Sequence, residues 1–379
     1  MKTRFLGVLV ALASLAIVGC EESPTWLVET NDGPMEITRI VNPKTYEDVS
    51  VAAIDQLLLV QGVNLNNVAS AFINDVEVVK PTDMTLLNGS ILLRVPYTVP
   101  TVIDNKLKLT DKQGRTVEAP LEVTVPELVV DGMACEYTPA GSTLVINGSY
   151  FDLYNMTPDD GVVLFGDIEA PIVAVNKTSV SVTVPANVPA NTTLTLRSDV
   201  ITVPCPGKYK DEEYLIQNFE NKVSDETYKV YYISGPSDPG GEATDPEGIS
   251  GKYMRYHNTY PGNWDWQSII YQSFGKRPEN FVDHVAEYAL KFECYAVKPL
   301  ADPFVLFNPN GDNPSGYRWG EDASFPTGEW RTYSIPLSET VTLISEWADW
   351  PNFIVVFHAA GTGKESYWCI DNLRISKIE

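Results

Sequence analysis

Apolar residues in this chain fall in short runs and every-second-residue patterns, and no long segment carries them at the 3.6-residue spacing of a helix. Leu57-Leu58-Leu59-Val60, Ser90-Ile91-Leu92-Leu93-Arg94-Val95 and Ser179-Val180-Ser181-Val182-Thr183-Val184 read as strands. Pro and Gly supply 52 residues and cut these runs at close intervals. The expected fold class is therefore all-β. At 379 residues the chain fits two or three domains, and 44% apolar residues suffice for a core in each.

Two stretches, 35–127 and 128–210, look like copies of one unit. Leu59-Val60-Gln61-Gly62-Val63-Asn64-Leu65 aligns with Val145-Ile146-Asn147-Gly148-Ser149-Tyr150-Phe151. A turn and a short strand follow each, at Asn74-Asp75-Val76 and Gly166-Asp167-Ile168, and a strand in each ends in Val-Pro, at Val95-Pro96 and Val184-Pro185. This order resembles IPT/TIG-type immunoglobulin-like modules, which implies two tandem small β-sandwiches. They hold few aromatics, no His and no carboxylates at metal-binding spacing, so spacing is their expected work. Thr124-Val125-Pro126-Glu127 and Pro204-Cys205-Pro206-Gly207 are expected to be short connections that Pro stiffens.

The N-terminus reads as a leader. Lys2 and Arg4 form a positive start, Phe5 to Val18 a short apolar stretch, and Ile17-Val18-Gly19-Cys20 resembles a bacterial lipobox. Residues 1–19 are then a lipoprotein signal peptide, Cys20 the acylated residue, and 20–34 a lipidated linker. The competing readings are a short membrane anchor, for which the apolar stretch is brief, or an ordinary secretory leader. Glu21 and Glu22 resemble the acidic export tags of surface lipoproteins in Bacteroidetes.

The remaining part, 211–379, carries seven of the eight tryptophans and all three histidines. Trp and Tyr serve wet binding faces, being apolar at one end and hydrogen-bonding at the other. The opening Leu215-Ile216-Gln217-Asn218-Phe219-Glu220, the closing Cys369-Ile370-Asp371-Asn372-Leu373-Arg374-Ile375 and Glu329-Trp330-Arg331-Thr332-Tyr333 resemble the jelly-roll sandwiches of carbohydrate-binding modules. The order of parts, lipobox, two Ig-like modules and an aromatic sandwich, resembles the surface glycan-binding lipoproteins of Bacteroidetes polysaccharide-utilisation systems. That resemblance implies a lipid-anchored protein on the exterior of the cell outer membrane. It would bind a neutral polysaccharide or oligosaccharide without cleaving it, beside a TonB-dependent transporter and surface glycoside hydrolases. The competing classes are a protein-binding adhesin or structural surface subunit, and an accessory glycoside-active enzyme.

The candidate ligand residues follow from what a sugar needs, namely exposed rings flanked by planar hydrogen-bonding groups. Trp264 and Trp266 stand two apart, so in an extended segment they point the same way, roughly 6.5–7 Å apart. Tyr317-Arg318-Trp319 leaves a loop rich in turn residues; Arg318 can donate paired hydrogen bonds, and the resemblance places this trio at the binding face. Trp347 and Trp350, before Pro351, are candidates for a second wall. Trp330 is expected in the core, and Trp368 either in the core or on the face. No cofactor is required, although the resembled sandwiches suggest a structural Ca²⁺ held by Glu220 and Asp371, against the plainer reading of two surface carboxylates.

Charge and motifs narrow the rest. A net charge of −23 repels phosphate backbones and acidic polymers, so no nucleic-acid partner is expected. There is no Gly-x-Ser-x-Gly, His-Glu-x-x-His or phosphate loop. Asp265, Glu321 and Asp322 are the carboxylates nearest the aromatics, and nothing marks them as a hydrolytic pair. The pairs Cys135/Cys205 and Cys294/Cys369 could form disulfides in an exported protein or remain buried thiols.

Overall fold

A computed structural model describes residues 33–379 except 81, 88, 221–229, 234–241, 260–265, 274–277, 280, 300–302, 309–316, 320–325, 341–351, 360–364 and 379. The leader and Cys20 lie outside the described residues, as do Trp264, Trp347 and Trp350. The described chain is all-β; its helical turns are the short 3-10 segments Leu65–Asn67, Phe281–Glu287 and Leu337–Thr340. It divides into two compact units, Met1–Val125 and Pro126–Glu379.

The first unit is a sandwich of two four-stranded antiparallel sheets. One runs Glu36–Val41, Leu57–Val63, Ser90–Arg94, Met84–Leu87; the other runs Val76–Glu77, Val68–Ile73, Lys106–Asp111, Thr116–Pro120. Val51–Ala53 and Glu122–Thr124 add a parallel pair. Leu58, Val60, Ile91, Leu93, Leu107 and Leu109 alternate inward and close the core between the sheets.

The second unit begins with the other Ig-like module. Its strand Ile168–Asn176 pairs with Val162–Phe165 through its first residues and with Ser179–Thr183 through its last. A register shift between Ile172 and Ala174 marks the transfer from one layer to the other. Leu144, Ile146, Val163, Phe165, Val180, Val182, Leu194 and Leu196 fill the space between.

The aligned glycines explain why the two modules share a pattern. A Cβ on Gly62 would stand 1.9 Å from the Glu36 carbonyl oxygen, and one on Gly148 2.1 Å from that of Val129. In each module the next turn residue is left-handed, Asn64 at φ 57° and Tyr150 at φ 67°. It turns the following Leu65 or Phe151 into the core, where neither has exposed surface. Glycine is thus required by a strand that approaches its neighbour too closely for any side chain.

Residues 214–377 form the last sandwich. Its first sheet runs Tyr214–Gln217, Glu365–Lys377, Tyr288–Ala296, Trp330–Pro336, with Met254–Thr259 also pairing on Glu365–Lys377. Its second runs Val230–Ile233, Trp266–Ser273, Asn352–Ala359, Pro303–Asn308, Tyr317–Trp319.

One expectation is corrected and one alternative is decided. Pro204-Cys205-Pro206-Gly207 lies inside the strand Thr202–Tyr209, which pairs with Thr192–Arg197; a bulge at Pro206-Gly207 accommodates the prolines. No linker separates this module from the last sandwich there. The four cysteines are free, buried thiols. Cys294 stands opposite Ile370, whereas Cys369 stands opposite Tyr295 one row along, so the two occupy opposite faces of one sheet. Burial pushes the Cys135 thiol up to about 12.

Candidate functional site

The two sheets of the last sandwich have different surroundings. One face of the first sheet carries Leu290, Phe292, Trp368, Ile370 and Ile375 into the domain core. Trp368 is 1% exposed and stacks on Tyr256 at 5.3 Å, which settles it as a core residue.

The opposite face of that sheet is covered as well. Arg374, with 0% exposure, donates to both oxygens of Glu293 at 2.9 Å and to Glu136 of the Ig-like module at 2.6 Å. Lys291 donates to the other Glu136 oxygen at 2.6 Å. Thr332 donates to Glu293 and accepts the Glu136 amide, while its own amide donates to the Ala134 carbonyl. The Tyr137 ring lies 4.9 Å from the Arg374 guanidinium, and its hydroxyl donates to the Asp211 carbonyl. Burial alone would raise the Glu136 carboxyl, yet Arg374 and Lys291 hold it below its ordinary value. Glu293 is wholly buried and is pushed upward against the pull of Arg374.

Local backbone shape makes this possible. Asn372 is left-handed at φ 50°, and the register shift beside it returns Arg374 to the face that already carries Asp371. Gly207 is left-handed at φ 84°, and a Cβ there would stand 2.7 Å from Glu136 Oε1.

Trp330 completes the covered face. It is half-buried, donates from Nε1 to the Glu247 carbonyl at 2.8 Å and meets Tyr253 and Tyr295 edge-on or tilted. With Cys135, Tyr137 and Ile249 it forms a small apolar cluster. It is structural as expected, but it seals the joint to the Ig-like module rather than the sandwich core. Beside it, His257 lies flat on Tyr367 at 4.0 Å and bonds Glu242 through Nδ1 at 2.6 Å and Glu365 through Nε2 at 2.5 Å. The Glu365 hydrogen bond above all, with Glu242 adding, holds the imidazole above its ordinary value.

Glu220 and Asp371 flank the Ser250-Gly251-Lys252 turn. Glu220 accepts the Lys252 amide; Asp371 accepts the Ser250 hydroxyl at 2.6 Å and the Asn372 amide at 2.8 Å. Burial above all, with Glu293 and Glu220 adding, pushes the Asp371 carboxyl well above its ordinary value. Among the described residues no group of three or more His, Cys, Asp or Glu could hold a metal ion.

The second sheet carries the sequence candidates that are described. Trp266 pairs with His358, which pairs in turn with Phe304, giving one cross-strand row of rings. The next row is Gln267, Phe357, Val305 and Trp319; the one after is Ser268, Val356, Leu306 and Arg318. Tyr317 follows, in the row of Phe307, Val355 and Ile270. Successive rows alternate faces. Register thus groups Arg318 with Trp266, and Tyr317 with Trp319 on the alternate rows. Reading along one strand could not show this, because Trp266 and Arg318 belong to strands that are not adjacent.

The last sandwich thus has two sheets, and the one that bears Trp266, Tyr317, Arg318 and Trp319 is distinct from the one joined to the Ig-like module. Residues 209–377 match the family model of the surface glycan-binding protein B xyloglucan binding domain, and residues 129–205 that of the IPT/TIG domain. The C-terminal domain is thus similar to the first family and the module before it to the second. Among solved structures, a surface glycan-binding protein of Prevotella bryantii aligns at TM-score 0.56 and 19% identity, over 91% of this chain and 99% of its own. One from a complex xyloglucan utilization locus in Bacteroides uniformis aligns at 0.54 and 18%, over 91% and 100%. A third, solved with a xylogluco-oligosaccharide, aligns at 0.55 and 16%, over 92% and 80%. At these identities the likeness is one of fold. A comparison with curated proteins found no match.

Proposed function

We propose that the chain captures a neutral polysaccharide of the xyloglucan kind, without cleaving it, on the second sheet of its last sandwich. The observation that carries this reading is the row Trp266–His358–Phe304, set in a domain that matches a xyloglucan-binding family. The rows of like parity add Ser268, Arg318, Tyr271 and Asn308, together with Val356, Leu306 and Ile354. The alternate rows hold Phe357, Val305, Ile270, Val355 and Phe307, with Gln267 and the rings of Trp319 and Tyr317. Stacking of sugar rings on such a face is worth on the order of 1 kcal/mol per ring, by analogy with aromatic pairs. Several rings along one chain are then needed for useful affinity.

Affinity electrophoresis of the full chain through xyloglucan, other neutral glucans, mannan and xylan tests the reading. Retardation by xyloglucan is expected; retardation by none of them, or release of reducing sugar, would overturn it. Trp266→Ala should abolish the shift, and Trp319→Ala should weaken it less.

The wider setting belongs to the same proposal. Acylation at Cys20 would anchor the protein in the outer membrane facing outward, and captured glycan would pass to a transporter and surface hydrolases. Metabolic labelling with a radiolabelled fatty acid, lost in Cys20→Ala, tests the anchor. A structural Ca²⁺ between Glu220 and Asp371 is favoured by the hard oxygen donors and the buried, upward-shifted Asp371 carboxyl. Calcium should raise the melting temperature of protein stripped with a chelator, and an unchanged melting curve would remove the ion from the account.

A further inference from the structure

Several of the connections between the two sheets of the last sandwich end on one cluster around His257. Its Nδ1 meets Glu242 at 2.6 Å and its Nε2 meets Glu365 at 2.5 Å, while Lys298 donates to the other Glu365 oxygen. The ring is stacked on Tyr367. The Tyr367 carbonyl accepts the Val297 and Lys298 amides at 3.0 and 3.1 Å, and its hydroxyl donates to Asp245 at 2.6 Å. Arg255 closes the group, donating to Asp245 at 2.7 Å with its Nε 3.4 Å from Glu242.

The far ends of three connections from this cluster are the members of one row on the second sheet. Trp266 lies nine residues beyond His257, Phe304 six beyond Lys298 and His358 seven before Glu365. The three pair across the sheet. Trp266 opens its strand, Phe304 is second in Pro303–Asn308, and His358 is second from last in Asn352–Ala359. The row is thus the part of the sheet tethered most directly to the cluster. A binding constellation keeps its geometry only where its supports are themselves held.

His257 supplies that hold in one protonation state. The imidazolium has two N–H donors and serves both carboxylates, whereas the neutral ring has one and serves a single carboxylate. Glu242 keeps Arg255 and Glu365 keeps Lys298 in either state. Losing the proton therefore unties the two carboxylates from each other and leaves the rest of the cluster joined. We propose that His257 is a positioning residue for glycan capture: as an imidazolium it fastens Glu242 to Glu365 and so fixes the strand ends that carry Trp266, His358 and Phe304. This rests on the reading of the second sheet as the capture face, and it makes capture tighter in acid than in alkali.

Titration calorimetry of the full chain with xyloglucan tests it, at about pH 5.5 and about pH 9, on either side of the imidazole range and short of the lysine range. The parent is expected to bind roughly fivefold more weakly at the higher pH, the lower end of coupling between two sites. His257→Gln should show the weak affinity at both values. His257→Lys should restore the tight affinity at both, because its ammonium stays charged throughout. His358→Gln removes the titrating group of the row itself and should keep the parent's ratio between the two values. Equal parental affinity at both values, a His257→Gln variant that keeps the ratio, a His257→Lys variant as weak as His257→Gln, or a ratio lost in His358→Gln would overturn the proposal and leave the capture reading standing. No binding of xyloglucan at either pH would overturn both.

Discussion

A guanidinium with no exposed surface needs partners for its donors. Arg374 matches its two terminal nitrogens through Glu293, Glu136 and the Asn372 carbonyl, while its buried Nε has no partner. Removing one partner of a buried ion pair leaves the others charged and unmatched, which costs about 3–5 kcal/mol. Arg374→Met is expected to lower the unfolding free energy of the second unit by that amount in urea titration. Glu136→Gln should do less harm at low pH than at neutral pH. A carboxyl held below its ordinary value stabilises the fold above its unfolded pKa, and that contribution fades as pH falls through the folded value. This network was illegible in the sequence because its members stand 81 and 238 residues apart; each alone reads as a surface charge. The fate of Trp330 was only half legible for the same reason, since its layer is made by another module. Trp368 was left open between core and face, although it alternates with Ile370 in an apolar run, because period-two alternation does not say which face is the inner one.

The strand Met254–Thr259 shows how one element is fastened at its outer side. It pairs with Glu365–Lys377 along its length, and His257 ties it to Glu242 and to Glu365. The charged groups around the ring are Arg255 on its own strand, Asp245 with Glu242 on the preceding segment, and Lys298 bonded to Glu365. Both ring nitrogens face carboxylates, so both bonds need the imidazolium. Since the folded pKa is raised, this contribution is fully present below about 6.5 and is lost as pH rises through the folded value. The melting temperature should therefore fall between about pH 6 and the alkaline side of that value, and His257→Gln should flatten the slope. At this scale strand positions were legible, because period-two patterning is local. Which strands are neighbours was not, and register alone separates Trp266 and Arg318 from Tyr317 and Trp319.

Over the whole molecule, three domain-sized sandwiches make two compact units. The Ig-like module of residues 129–209 shares the Glu136–Arg374 network and the Trp330 cluster with the last sandwich, so they should unfold together. Calorimetry on the full chain is expected to resolve two transitions, with Arg374→Met moving only the one that belongs to residues 126–379. Three separate transitions would show that the joint adds little cohesion. The tandem organisation was readable from the repeated strand-glycine-strand order. The fusion was hidden, because Pro204-Cys205-Pro206-Gly207 has the composition of a linker and the conformation of a bulged strand.

Gly207 carries that last point further. It sits left-handed against the Glu136 carboxylate with no room for a side chain, at a place where a sequence-based boundary would invite the scissors. Anyone transplanting the aromatic sandwich onto another display scaffold, or trading it between chains by recombination, has to cut near Pro126 and carry the neighbour along. A graft made at residue 210 would expose Arg374, Trp330 and a buried carboxylate as a sticky, charged wound. The exchangeable piece of this protein is thus larger than its ligand-bearing domain, and crossovers inside it should yield insoluble chimaeras.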